Sequence, residues 1–437
     1  MSQTVLEKIF PKAAGIDIGT MAFHVSTDGE TVRVFSTFTE SIVELIQYLR
    51  QQQTQTVAIE STGVLWVPLY DMLEEAGIEV VLVNPAHVKN VPAQKTDFKD
   101  CRWLQTVHSY GLLRASVVPP ETIRELRTYT RMREDHIENA AGKIQQMQKA
   151  LELMNIKLHN VISDLKGKSG LRIMEAIIEG ETHPENLATL CDKRILKEKR
   201  SQVLASLHGN YKKEYLFVLR QAYEGYQFYQ KQIGTCDTEI DLLLKEITKE
   251  LPVPPETPSL PARHNQPQVE NLHQHVVQLT NGRNATVLPG LCDKTVLKLI
   301  SEVGTDLSRW TSEKHFVSWL GLSPWKNQSG KMRRSKRNPV RTIAGQIFRE
   351  SALSIANSKH LALKGFYRRI KSHHGFKIAI KATARKIAVF FYRFMTKGLE
   401  YVERGLVEYE ERYKEICLRN LNKRAKQFGF DLVPKNA

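Results

Sequence analysis

An N-terminal α/β sandwich, a long α-helical middle and a basic, mostly α-helical C-terminal region are the architecture this sequence predicts. Three observations point to it. Strands alternate with helices after an opening hairpin in the first 120 residues, apolar residues recur three and four apart through 121–251, and a cationic block follows a Pro-rich stretch. At 437 residues the chain has room for two or three domains, each with its own core. A hydrophobic content of 41% with 25% charged residues excludes global disorder. No apolar run approaches the roughly 20 residues that span a bilayer. The N-terminus also lacks the charged-then-apolar layout of a signal, so a cytoplasmic protein without membrane contact is expected. The five cysteines are far apart and form no CxxC, which argues against a disulfide scaffold or a zinc ribbon.

In order along the chain, AAGIDIG alternates like a strand, and FHVSTDGETVRVFST reads as a hairpin turning at Asp28-Gly29. Ile42, Leu45, Ile46 and Leu49 have helical spacing, and the strand TVAIEST, the helix VPLYDMLEEAG and the strand IEVVLVNP follow. This order suits an RNase H-like sheet over 1–120. In 121–251, Ile137, Ala140, Ile144, Met147, Leu151, Met154, Leu158, Val161 and Leu165 are spaced 3,4,3,4, and Tyr215 to Ile247 repeat the pattern. The expectation is two coiled-coil helices forming a dimerisation arm, with an internally packed helical hairpin as the alternative and short helices over 168–210. Residues 252–284 open with PVPPETPSLPARHNQPQ and read as a linker. His264, His273 and His275 in or just after that stretch read as part of a solvated tether rather than a metal site. A basic domain over 285–398 and a charged helical tail over 399–437 complete the chain.

The charge is concentrated. From Lys294 to Lys397 there are 23 Lys/Arg and four acids, a net +19 in a chain whose total is +16. A solvated charged face mixes signs, whereas this block implies a polyanion, and nucleic-acid phosphates fit better than a membrane. Trp310, Trp319 and Trp325 lie in the same block, where core packing is expected ahead of base stacking. VLPGLCDKTVLKLISEVGTD resembles a helix–hairpin–helix whose Pro-Gly turn would offer backbone amides to a phosphate, with a plain loop as the alternative.

Two constellations carry chemistry. Asp17 ends the first strand, facing away from the core side of Ile16 and Ile18, and Glu60 sits at the matching end of TVAIEST. Asp97 and Asp100 open a helix in KTDFKDCRWL, and their i,i+3 spacing puts both on one face. Alone, Asp17 could be a turn residue and Asp97 an N-cap. Together, four converging carboxylates repel unless a hard cation neutralises them, and oxygen-only ligands suit Mg²⁺, with Mn²⁺ as the alternative. Two such ions about 4 Å apart would activate a nucleophile and stabilise the leaving oxygen at a phosphodiester. GIDIGT also resembles the loop of sugar kinases, but no second Gly-rich phosphate loop follows. The second constellation is Ser329-Gly330, read as a loop crowded by Lys331, Arg333, Arg334, Lys336, Arg337 and Arg341. Its hydroxyl would attack phosphorus with the cations neutralising developing charge. A turn serine is the plain alternative, and Ser323 and Ser335 are rivals.

GIDIG, AIESTG, NP followed by KTDFKD, the helical middle, LPG and FVSWLGLSPWKNQSGK together resemble the DEDD transposases of the insertion-sequence 110 and 1111 group, whose recombination is guided by a bridge RNA. The resemblance spans the chain, and its extended middle suits the 1111-type branch. It implies a RuvC-like N-terminal domain whose four acids correspond to Asp17, Glu60, Asp97 and Asp100. It also implies a transposase domain with Ser329 as nucleophile, forming a phosphoserine link to donor or target DNA. Dimers or tetramers are implied, with the two halves of a composite site supplied by different protomers. One departure is SKRNPVRTIAGQIFRE, standing where the family usually carries a Lys-x-Gly-Asn run. The rival readings are a RuvC-like Holliday-junction endonuclease using water, and a non-catalytic nucleic-acid scaffold.

Overall fold

The computed structural model describes residues 7–85, 97–324, 326–329, 332–335, 341–358 and 361–432. The chain divides into two compact units, Met1–Val118 and Pro119–Ala437.

The first unit is a five-stranded mixed sheet with helices on both faces, consistent with the RNase H-like reading. Its strands β1 (Ala13–Ile18), β2 (Ala22–Ser26), β3 (Arg33–Ser36), β4 (Thr56–Glu60) and β5 (Glu79–Val83) lie in the order β3-β2-β1-β4-β5. β1, β2 and β3 pair antiparallel, while β1, β4 and β5 pair parallel. Parallel neighbours need crossovers, supplied by α1 (Thr39–Gln51) and α2 (Trp66–Glu75). The apolar side of α1 (Ile42, Leu45, Ile46, Leu49) and of α2 (Leu69, Tyr70, Leu73) packs on Ala14, Ile16, Ile18, Val57 and Ile59. Because side chains alternate along a strand, Gly15 and Asp17 face the opposite side. There α3 (Asp97–Ser109) crosses β1 directly above Gly15. A Cβ at Gly15 would collide with the backbone of Gln105 and Cys101, so only glycine permits that approach.

The second unit is helical apart from a small hairpin. The long helices α4 (Glu121–Leu153) and α8 (Lys213–Thr248) enclose α5 (Lys168–Glu179), α6 (Pro184–Thr189) and α7 (Lys193–Ser206) in the sequence between them. α4 and α8 run antiparallel within one chain, as Arg133 meets Asp237, His136 meets Tyr229 and Asn210 reaches Leu153. Ala140, Ile144, Met147 and Leu151 share one core with Leu219, Ala222, Tyr226, Tyr229 and Ile233. The 3,4 spacing is therefore used inside the chain, and the helical-hairpin alternative describes it. The run expected to continue to Leu165 stops at Leu153, because Asn155 takes φ 58°. Leu158 lies in a 3₁₀ turn whose side chain plugs the same core.

Residues 252–268 carry no helix or strand, but the expected linker also contains α9 (Leu272–Leu279), with Leu272, Val276, Val277 and Leu279 buried. The three histidines go to separate partners: His264 to Lys166, His273 to Asp293 at 2.8 Å and His275 to Thr248 at 2.7 Å. Next come α10 (Asp293–Val303), α11 (Glu313–Trp319), β6 (Lys326–Ser329), β7 (Met332–Ser335), α12 (Ile343–Ala356), α13 (Leu361–His374), α14 (Phe376–Lys397) and α15 (Leu399–Gln427). Phe316, Phe348 and Phe391 are fully buried and meet edge to face, each worth about 3–5 kcal/mol against truncation to alanine. Trp310 joins this core, 5.0 Å from Phe316 and 5.1 Å from Trp319, so packing is its use. α10 is clamped to α4 by Arg131, which donates to both Glu302 oxygens at 2.7 and 2.8 Å. All five cysteines are free thiols. Among the described residues, no helix is long and apolar enough to cross a membrane.

Candidate active site

Asp17 is the penultimate residue of β1, half-buried and directly opposite His24 of β2 in the antiparallel register. That pairing follows from the tight turn between the strands, in which the Gly19 amide donates to the Ala22 carbonyl at 3.0 Å. On the other side, the parallel register Ile16↔Ile59 brings Glu60 alongside Asp17 at the neighbouring strand end. Asp97 and Asp100 stand in the first turn of α3, where the helix dipole favours carboxylates. The close crossing at Gly15 carries that turn over the end of β1.

A carboxylate oxygen of Asp17, one of Asp97 and a ring nitrogen of His24 all lie within 4.8 Å of one another. Glu60 and Asp100 are outside this group, although they occupy the expected strand and helix positions. His24 Nδ1 is buried and has no hydrogen-bond partner, and its ring meets Phe98 edge-on at 4.9 Å. Buried polar atoms are nearly always satisfied, so a ring with one orphaned nitrogen, set against two carboxylates, fits a divalent cation. Nearby, burial and then the charge of Asp17 push the Cys101 thiol up to about 11. Cys101 therefore stays protonated at neutral pH and serves as packing. His24 escapes motif reading because no ligand spacing ties it in sequence to Asp17 or Asp97, and the carboxylate four residues on, Asp28, is used in its own turn. Counting across the turn at Gly19 is the signal that finds it.

In the second unit, Ser329 closes β6 and pairs with Met332, so the expected open loop is a two-stranded hairpin. Gln328 pairs with Arg333 and Asn327 with Arg334. Lys331, Lys336 and Arg337, like Trp325, lie outside the described residues. Arg341 is exposed just before α12. Behind it the structure adds two cations that charge counting did not single out, Arg349 of α12 and Lys381 of α14. Burial and then Arg341 lower the proton affinity of Arg349, while burial and then Arg349 lower that of Lys381. Like charges drawn together in this way suit a phosphate backbone.

The LPG turn is closely packed and capped. Gly290 takes φ 82° with α12 backbone close by, and the start of α10 is capped by Cys292 and Thr295. Asp293, buried in the first turn, already supplies the negative charge that a phosphate would bring.

Residues 14–156 match the family model of the IS110 DEDD transposases, and residues 283–367 match that of the transposase IS116/IS110/IS902 family. The chain belongs to the IS110 family of transposases. The first match contains Asp17, Glu60, Asp97 and Asp100, and the second contains Ser329 and Arg341. No curated protein is a significant match to this transposase. Membership makes it an enzyme that cuts and rejoins DNA, within a family that normally uses a divalent metal.

Proposed function

We propose that this transposase is an RNA-guided, metal-dependent serine recombinase that moves its own insertion sequence. The observation that carries the metal part is the convergence of Asp17, Asp97 and His24 donors within 4.8 Å on an RNase H-like sheet. Asp17, Glu60, Asp97 and Asp100 hold the cation, Mg²⁺ or Mn²⁺. When bound, the cation supplies Lewis-acid stabilisation of charge developing at a phosphodiester. Ser329 supplies the nucleophile. As its Oγ–P bond forms, the bond from phosphorus to the departing strand breaks, and the hydroxyl proton ends on the released oxygen. Attack by the free hydroxyl of a second strand reverses the sequence, restoring a phosphodiester and freeing Ser329. Arg333, Arg334, Arg341, Lys331, Lys336 and Arg337 grip phosphates. DNA and a guide RNA are the partners, and the working form is a homo-oligomer, dimer or tetramer. Phe217, Phe228 and Leu242, exposed along α8, support that last point.

The test is covalent trapping. The transposase is produced with its native flanking DNA, so that a guide RNA is present, then given a nicked donor duplex and Mg²⁺. A protein–DNA adduct on a denaturing gel, lost in Ser329→Ala and in Asp17→Asn, is the expected result. Cut DNA without an adduct makes water the nucleophile and turns the reading to a junction-resolving nuclease. Unchanged cleavage in Asp17→Asn removes the metal site.

A further inference from the structure

We propose that His24 is itself a metal ligand and that it makes this transposase prefer Mn²⁺ to Mg²⁺. The inference rests on the reading that the Asp17–Asp97 site holds a divalent cation, and it adds an element that a four-carboxylate description lacks. His24 is the direct cross-strand neighbour of Asp17, so both side chains leave the sheet on one face. One ring nitrogen of His24 is within 4.8 Å of a carboxylate oxygen of each aspartate. Phe98, the residue after Asp97 on α3, packs against the imidazole and restricts its rotation.

A purely structural role would have an imidazolium bridge the two carboxylates. That arrangement has both ring N–H groups donating, yet Nδ1 is buried with no acceptor. Coordination asks less of the ring, because a neutral imidazole has one N–H instead of two and presents a lone pair to a cation at its other nitrogen. The consequence for selectivity follows from ligand chemistry. Mg²⁺ demands oxygen donors in a tight octahedron and keeps much of its water, whereas Mn²⁺, which also favours oxygen, is larger and softer and tolerates an imidazole nitrogen better than Mg²⁺ does. Replacing one oxygen position by nitrogen therefore weakens the site for Mg²⁺ relative to Mn²⁺.

The experiment uses the purified full-length chain and the two ions as probes, without a catalytic readout. Mn²⁺ binding is followed by electron paramagnetic resonance, and Mg²⁺ by its competition with Mn²⁺. The expected result is Mn²⁺ binding at least about tenfold tighter than Mg²⁺, with nitrogen hyperfine coupling on the bound Mn²⁺. His24→Ala should lose that coupling and most of the preference, and His24→Asp should keep Mg²⁺ binding with no preference. Bound Mn²⁺ without nitrogen coupling in the wild-type protein overturns the proposal even if the variants fold poorly. Loss of both ions in Asp17→Asn with the preference intact in His24→Ala overturns this inference alone. No binding of either ion by the wild-type protein overturns the metal site as well.

Discussion

Under the five-stranded sheet, His108 meets Thr56 through a 3.0 Å hydrogen bond, while between α4 and α8 Arg133 meets Asp237 at 2.5 Å. Both pairs are buried, and they solve the same problem in opposite ways. The N-terminal unit keeps its interior polar groups neutral: burial drives His108 down to about 4, and the Gln105 amide donates to the Ala13 and Thr27 carbonyls. The helical unit buries ionised groups, since Arg133 and Asp237 are both buried and the buried Glu302 takes both arms of the more exposed Arg131. A neutral pair loses about 1–3 kcal/mol when one member is replaced, less than a charged pair because no charge is stranded. A buried ion pair is worth little as a whole and costs a great deal when halved. The comparison thus predicts where each unit is fragile.

The largest effect is expected in the hairpin. Asp237→Ala leaves the Arg133 guanidinium buried, with the Asn265 carbonyl at 3.1 Å and the Glu134 carboxylate at 3.9 Å as its remaining partners. It should destabilise the chain by about 3–5 kcal/mol, and the double replacement Arg133→Met with Asp237→Leu should recover most of that. Urea unfolding monitored on the helical signal measures both. A single-variant cost below about 1 kcal/mol would mean that water reaches the pair, and the contrast between the units would collapse.

A second contrast uses backbone rather than charge. Gly15→Ala forces α3 away from β1 and should cost about 1–3 kcal/mol, with Mn²⁺ binding weakened because Asp97 moves with α3. Gly234 of α8 has no atom within 4 Å of where a Cβ would stand. There the alanine variant should stabilise the chain by about 0.5–1 kcal/mol, the usual gain in a helix interior. Thermal melts of the two variants moving in the same direction would break the comparison.

These differences also explain what could be read in the sequence. Strand alternation was enough to put Asp17 and Glu60 at neighbouring strand ends, and the DxxD spacing was enough to open α3 with two acids. His24 was hidden, because a residue seven positions from Asp17 becomes its neighbour only once the turn at Gly19 is counted. The heptads of α4 and α8 were legible as helices but not as a partner choice, since spacing of three and four is the same whether the mate is another chain or the same one. Met154, Leu158 and Leu165 kept the rhythm past the helix end because they fill the same core, which periodicity reports without distinguishing helix from turn. Arg349 and Lys381 were two cations among 23 until the packing of α12 on α14 brought them together.

The last effect is the one most specific to the N-terminal unit. His108 is neutral when folded down to about pH 4, whereas the unfolded chain takes up that proton near 6.5. Between those values the unfolded state binds more protons than the native state, so stability rises with pH and is lost as pH falls. The loss should reach about 1 kcal/mol on going from roughly pH 7.5 to 5.5. His108→Gln, which keeps a hydrogen-bonding group for Thr56 but has no proton to gain, should flatten that slope. The readout is the unfolding free energy of the N-terminal transition against pH for both proteins. Equal slopes would show that His108 titrates alike in both states, and the neutral interior of the sheet would then owe nothing to the burial of this imidazole.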